Sequence, residues 1–330
     1  MQYRITATLG PASDHVETWR GLLSAGCSAF RINTSHLTVP DLEELVDRLR
    51  RFLQDPPCDV PVILDLQASK WRLGEFPTCR LMAGQQVDLL LSDHAEGPGL
   101  LPVPHEDFFR AAAAEGGGDL FLNDAKIRVA IESIAGERVR GRVLAGGEIS
   151  RRKGLSLPGA TIRIERLSDR DQQIVRSTAG IPRLGYAISF VKDAQEMATY
   201  RSLFGSQTYL IAKLERPSAL KEAAEMTPSV DALWLCRGDL GAEAGLQTMA
   251  RLVSQFNTGV ATLTKPVHLA GQVLEHTTHH PQPTRSEVCH LYDMLRIGYQ
   301  GIVLSDETAV GRYPVESCRS AAMFREPATV

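Results

Sequence analysis

The chain of 330 residues exceeds the usual single-domain length and is nearly balanced in charge, with 36 Lys plus Arg against 39 Asp plus Glu and a formal net charge of -3. That balance removes any global electrostatic reason to expect nucleic acid or an anionic membrane as partner, so a basic site has to be local. No run approaches the roughly 18 apolar residues that span a bilayer. The N-terminus enters a strand pattern without a signal-type apolar region, so the expectation is a soluble, cytoplasmic protein. The six cysteines, Cys27, Cys58, Cys79, Cys236, Cys289 and Cys318, show no CxxC pair or metal-finger spacing and read as reduced thiols.

In chain order, residues 4–8 read as a first strand, and Gly10-Pro11-Ala12-Ser13 as a turn whose serine caps a helix running toward Leu23. Residues 29–33 form a second strand, 40–53 an amphipathic helix opened by Pro40, and 60–66 a third strand rich in branched residues. This is a βα series of parallel strands. After Gly74 the rhythm breaks into short strands at 86–91, 120–122, 129–131 and 139–143 with Gly-rich turns between them, and 111–118 reads as a loop. Helical rhythm returns at Ser168, an N-cap for 169–178, and further strands are expected at 186–190, 208–213, 232–235, 266–269 and 301–304. Eight strands with their helices predict an α/β fold, a TIM (β/α)8 barrel of residues 1–74 and 153–330. A β-rich lid domain of residues 75–152 is inserted after the third strand. The last expected helix, 314–324, ends almost at the C-terminus, so no further domain is expected.

The most informative stretch is Leu210-Ile211-Ala212-Lys213-Leu214-Glu215. Strand alternation puts Lys213 and Glu215 on one side of a strand at its carboxyl end, where barrel active sites are built. Lys213 can neutralise a phosphoryl or enolate oxygen and Glu215 can hold a divalent metal; a strand-edge salt bridge is the alternative. A second acidic strand end, Arg237-Gly238-Asp239, follows the apolar run 232–235 and suggests one shared metal, although the tripeptide could also be a tight turn.

Further motifs occur in order: Thr8-Leu9-Gly10-Pro11-Ala12-Ser13, Arg31-Ile32-Asn33-Thr34-Ser35-His36, Lys153-Gly154-Leu155-Ser156-Leu157-Pro158-Gly159, Arg237-Gly238-Asp239-Leu240-Gly241, Pro281-Gln282-Pro283-Thr284-Arg285-Ser286-Glu287 and Leu304-Ser305-Asp306-Glu307-Thr308. With Lys213-Leu214-Glu215, this collinear set resembles pyruvate kinase over nearly the whole chain. The resemblance implies a barrel interrupted after its third strand by a β-rich lid; the C-terminal regulatory domain of most members is not expected here. It implies Mg²⁺ (or Mn²⁺) on Glu215 and Asp239, and transfer chemistry assisted by Lys213 and Arg31. It also implies a substrate carboxylate on the backbone amides of Gly238 and Asp239. Asn33, Ser35 and Asp65 match the family's monovalent-cation site. Asn33, His36 and Lys153 match positions on the nucleotide side, with Asp124 as the lid aspartate; Lys153 could equally be a solvated linker lysine.

Where the family reads Asp-Thr-Lys-Gly-Pro-Glu-Ile-Arg, this chain reads Asp65-Leu66-Gln67-Ala68-Ser69-Lys70-Trp71-Arg72. Lys70 stands where potassium-independent members carry lysine, so a tethered ammonium is expected to substitute for K⁺, and no K⁺ requirement is expected. Gly271, in Ala270-Gly271-Gln272, replaces a threonine linked to substrate contact and enolate protonation. Losing such a proton transfer typically costs about two to four orders of magnitude; alternatively the glycine makes room for a larger substrate at C3. His276, His279 and His280 could be named a metal cluster but read better as solvated loop histidines, and Thr284, Arg285 and Glu287 read as fixing loop geometry.

Three functions follow from these observations. The favoured one is phosphoryl transfer between phosphoenolpyruvate, or a related enol phosphate, and ADP. A metal-dependent lyase, decarboxylase or aldolase acting on a 2-oxo acid such as oxaloacetate through an enolate is the second, and a noncatalytic metabolite-binding homologue the third. Expected partners are the small-molecule acid and a nucleotide, with no nucleic acid and no membrane, and a homodimer at most.

Overall fold

The computed structural model describes residues 1–54, 58–123 and 125–326. The chain begins with β1 (Arg4–Leu9), α1 (Val16–Ser24), β2 (Ala29–Asn33), α2 (Val39–Gln54) and β3 (Val62–Leu66). A second group follows: β4 (Cys79–Leu81), β5 (Gln86–Leu90), β6 (Leu100–Pro102), α3 (Glu106–Glu115), β7 (Asp119–Leu122), β8 (Ile127–Ala135), β9 (Arg138–Ala145), β10 (Gly147–Ile149) and β11 (Leu155–Ser156). Then come α4 (Asp169–Thr178), β12 (Leu184–Ile188), α5 (Ala194–Phe204), β13 (Tyr209–Leu214), α6 (Pro217–Lys221), α7 (Ala223–Met226), β14 (Ala232–Cys236), α8 (Arg237–Ala244) and α9 (Leu246–Asn257). The chain closes with β15 (Val267–Ala270), α10 (Arg285–Ile297), β16 (Gly301–Leu304), α11 (Asp306–Ala309) and α12 (Pro314–Ala321).

The eight strands β1, β2, β3, β12, β13, β14, β15 and β16 pair in parallel in chain order and close on themselves through β1 and β16. This is the expected TIM-barrel architecture. Because helices cover the outside, the strands are buried on both faces and read as near-continuous apolar runs. Alternation sorts their side chains: Val62, Leu64 and Leu66 join the layer under the helices, while Ile63 packs inside the barrel with Ile211, Ala187 and Trp234. The same period carries Asp65, Lys213 and Glu215 inward at the strand ends, which is how an apolar barrel acquires a polar rim.

The helices follow from local sequence. In α2, Leu42, Val46, Leu49 and Leu53 are its buried stripe, spaced as one face of an amphipathic helix requires. Ser168 opens α4 in a capping box with Asp171. Asp171 also accepts from the amides of Gln67 (3.1 Å) and Ala68 (2.8 Å), tying α4 to the segment that leaves the barrel for the second sheet.

Between β3 and β12 lies a β-rich unit with its own core, a six-stranded sheet in the order β11-β7-β8-β9-β5-β6 beside the β4-β10 pair. Within it, 111–115 is helical rather than loop: alanine is the best helix former, and Gly116 at φ 71° provides the left-handed C-cap. The expected strand 129–131 is the middle of the longer β8. Ser13 does not cap α1. It sits in a 3-10 turn with its hydroxyl accepting from the Gly10 amide (3.1 Å), and α1 starts from His15 without a side-chain cap. Strand β12 ends at Ile188, short of the expected 190, because Phe190 has φ 57° and cannot extend a strand. Among the described residues no helix is long and apolar enough to cross a membrane.

Candidate active site

A cleft of about 1210 Å³ opens at the carboxyl ends of the barrel strands, lined by Arg31, Asp65, Lys213, Glu215, Asp239 and Gly271 together with His36, Lys70, Arg72 and Lys153. Three strands build its floor. Arg31 from β2 donates through Nε to Asp65 Oδ2 at 2.7 Å and through Nη1 to the Thr8 hydroxyl at 2.9 Å. From β13, Lys213 Nζ reaches Asp65 Oδ1 at 3.0 Å and Ser189 Oγ at 2.9 Å, and contacts Glu215 Oε1 at 2.9 Å. Glu215 Oε2 accepts from the Phe190 amide at 2.8 Å, while Oε1 receives no directed hydrogen bond.

The electrostatics assign distinct states. Burial alone would lower the Lys213 pKa, but Asp65 and Glu215 outweigh it and raise it, so Lys213 is a fixed ammonium and not a base. Burial would raise Asp65, yet Lys213 and Arg31 hold its carboxyl well below the usual range. Glu215, with 0% exposure, is pushed up to about 7 by burial against the pull of Lys213. Asp239 is lowered; burial opposes the shift, and Lys70 and Lys213 produce it.

The Lys70 ammonium pairs with Asp239 Oδ1 at 2.5 Å. Its positive charge is therefore delivered beside the expected metal carboxylate. Asp65 is occupied by Arg31 and Lys213, and Asn33 Oδ1 accepts from the Ser35 amide at 3.2 Å. Ser35 Oγ is buried and has no hydrogen-bond partner among the described residues. Elsewhere in the cleft, burial together with Arg72 and Lys153 lowers the His36 pKa to about 4, leaving a neutral imidazole in a strongly cationic corner. Asp124 lies outside the described residues.

The start of α8 borders the same cleft. Cys236 is its N-cap and gives no side-chain hydrogen bond among the described residues, so the first amides, those of Gly238 and Asp239 included, are not capped by that side chain. The loop after β15 is clamped onto this helix start by Arg237, whose Nη2 donates to Gly271 O at 2.6 Å and to Gln272 O at 3.0 Å. Gly271 has φ 82°, and a Cβ there would stand 3.0 Å from Gly238 N and 3.3 Å from Arg237 N. The missing side chain thus lets two backbone segments approach and leaves no void between them. Gly271→Thr is accordingly expected to lower stability by about 1–3 kcal/mol; thermal unfolding checks this.

Sequence reasoning missed Ser189, Phe190, Arg72 and the Arg237 side chain. Ser189 could have been found two residues after the inward Ala187, whereas the Phe190 amide contact depends on a positive φ that no residue pattern announces. Arg72 Nη1 is anchored on Arg152 O at 2.8 Å. His276 and His280 stack with ring centroids 4.0 Å apart on the surface, and among the described residues no group of three or more His, Cys, Asp or Glu is arranged to hold a metal. Thr284 and Glu287 form the capping box of α10, and Glu287 Oε1 accepts from the His276 amide at 2.8 Å, the loop-fixing role expected of them.

Comparison with known proteins agrees with this architecture. A family model described as pyruvate kinase, barrel domain, matches residues 1–318. Pyruvate kinase from Agrobacterium vitis is 34% identical over 95% of this chain and 65% of its own length. The enzyme of that name from Methylorubrum extorquens is 32% identical over 95% of this chain and 66% of its own, and that from Thermococcus litoralis 29% identical over 97% and 68%. The chain therefore spans about two thirds of the length of these relatives. With the barrel intact and the match running through every strand of it, the chain belongs to the pyruvate kinase family.

Proposed function

We propose that the protein transfers a phosphoryl group between phosphoenolpyruvate, or a related enol phosphate, and ADP. The observation that carries this reading is Lys213: a buried ammonium that contacts Asp65, Ser189 and Glu215 and lines the same cleft as Arg31, Arg72 and Lys153. Such a cationic wall suits a transferring phosphoryl group and is more than the cleavage of a 2-oxo acid needs.

Glu215 and Asp239 are the residues to hold Mg²⁺ or Mn²⁺. The fit is chemical: both offer carboxylate oxygen, Glu215 Oε1 is buried without a hydrogen bond, and Mg²⁺ is commonly held by one or two carboxylates plus substrate oxygens. When bound, the ion supplies charge neutralisation to carboxylate and phosphoryl oxygens. Lys213 and Arg31 stabilise charge on the transferring group. The Gly238 and Asp239 amides orient the acid, and Asn33, His36 and Lys153 face the nucleotide. Lys70 provides the fixed cation that makes K⁺ unnecessary. The β-rich unit of residues 75–152 serves as a lid, and the protein works in the cytoplasm, as a homodimer at most.

Gly271 carries no hydroxyl, which favours one second reading: metal-dependent cleavage of a 2-oxo acid such as oxaloacetate, with the resulting enolate protonated by water. Gln67, the other departure, is occupied structurally, since its Nε2 donates to Lys70 O at 3.0 Å. Pyruvate formation followed with a coupled lactate dehydrogenase, beside oxaloacetate consumption, separates the two. The expected result is pyruvate from phosphoenolpyruvate only when ADP and a divalent metal are both present. Rapid loss of oxaloacetate without nucleotide, and no pyruvate from phosphoenolpyruvate, would establish the lyase instead.

A further inference from the structure

Two covalent segments join the lid to the barrel, residues 67–73 on the way out and 152–168 on the way back. Arg163 stands on the return segment, and its side chain has 0% exposure. The guanidinium carbon lies 3.7 Å from the centroid of the Trp71 ring and 4.7 Å from that of Phe190. Nη1 donates to Ser69 O at 2.9 Å, and Nη2 is 3.7 Å from Glu243 Oε1, too long for a hydrogen bond. Among the described residues, Nε and Nη2 make no hydrogen bond.

This buried cation, with one hydrogen bond and a loose ion pair to Glu243, is sandwiched between two aromatic faces, a stacking that planar arginine makes better than lysine. The rings belong to different parts of the molecule. Trp71 is in the lid core, edge-on to Phe108 at 5.4 Å, with its Nε1 donating to Asp107 Oδ2 at 2.9 Å. The same carboxylate oxygen accepts from the Ile164 amide at 2.8 Å, so α3 grips both connecting segments. Phe190 follows β12 in the barrel, and its amide holds Glu215. Lys70, one residue before Trp71, reaches Asp239, and Glu243 lies one turn after Asp239 along α8.

We propose that Arg163 is the positioning residue of the lid hinge, a planar cation clamped between a lid ring and a barrel ring that fixes the angle at which the hinge brings Lys70 onto Asp239. It takes the place of the Gly-Pro restraint absent at Ala68-Ser69. The inference rests on the proposed phosphotransferase activity only in its kinetic consequence; the structural consequence stands independently.

The test compares the whole chain with Arg163→Met, which keeps an unbranched apolar stem, and Arg163→Lys, which keeps the charge. Hydrogen exchange read by mass spectrometry should show residues 67–73 and 157–165 exchanging at least about tenfold faster in both variants, with β13 protection unchanged. In turnover, kcat should fall by about tenfold to a hundredfold while KM for phosphoenolpyruvate holds, since the α8 amides are untouched. Parent-like hinge exchange in Arg163→Lys would overturn the proposal in favour of a simple charge contact with Glu243. A uniform rise across barrel and lid would reduce Arg163 to a stability role and overturn it as well. Should Arg163→Met not fold, Glu243→Gln keeps the falsification open: the ring clamp predicts parent-like hinge exchange there, and a loosened hinge contradicts it. A parent that transfers no phosphate while its variants loosen the hinge sinks the functional reading and leaves this one standing.

Discussion

Replacing Lys213 with methionine is expected to lower kcat for phosphoryl transfer by about 10²–10³-fold, the usual effect of deleting one preorganised charge donor. Lys213 Nζ contacts Ser189 Oγ, Asp65 Oδ1 and Glu215 Oε1 together. Arg31 keeps Asp65 Oδ2 paired in the variant, so the fold should survive. Glu215, already pushed up by burial, would lose its ammonium partner and take a proton more readily. Removing one partner of a buried pair costs about 3–5 kcal/mol, less whatever protonation of Glu215 recovers, and thermal unfolding measures the remainder. Steady-state kinetics with saturating phosphoenolpyruvate and ADP reads the catalytic effect; a loss below tenfold would remove Lys213 from the chemistry.

Lys70→Glu should have the next largest effect and a distinctive signature. Lys70 is 5% exposed and its ammonium sits 2.5 Å from Asp239 Oδ1. Reversing its charge places two carboxylates in a buried site, where they cannot both remain ionised without a cation between or beside them. Activity in potassium-free buffer should therefore drop by about a hundredfold or more and return in part as KCl is added, whereas the parent should respond to potassium only as to any salt. A parent stimulated specifically by K⁺, or a variant fully active without it, would show that the Lys70 ammonium does not take the ion's place.

The features legible in the sequence were those encoded by short-range periodicity. Alternation through Ile211, Lys213 and Glu215 located a polar rim on a buried strand, and Ser168 announced the helix it caps. Strand count and order gave the barrel, because in a βα series each strand pairs with the next one of the barrel. Residues 111–115 are the end of α3 and not a loop, because the alanines favour helix and the glycines after them only terminate it. Contacts between distant residues stayed hidden. Lys70 meets Asp239 across 169 positions, and the position of Lys70 in a motif says only that a cation is present, not which carboxylate it reaches. Phe190 looked like a strand residue, since its side chain suits one and its left-handed backbone is imposed by the turn that delivers its amide to Glu215. The position of Arg163 is not legible in the sequence either, because the ring faces that sandwich it come from Trp71 and Phe190, far apart in the chain.

The central claim is that Lys213 and its carboxylates serve phosphoryl transfer, and phosphorus NMR tests it most directly. The purified protein is mixed with Mg²⁺, phosphoenolpyruvate and ADP in potassium-free buffer, beside Lys213→Met and a sample in which the metal has been chelated. The account predicts loss of the phosphoenolpyruvate resonance with matching growth of the ATP γ-phosphate signal in the first sample alone. A phosphoenolpyruvate resonance that persists at high protein concentration, or ATP formed equally by the variant, would contradict it.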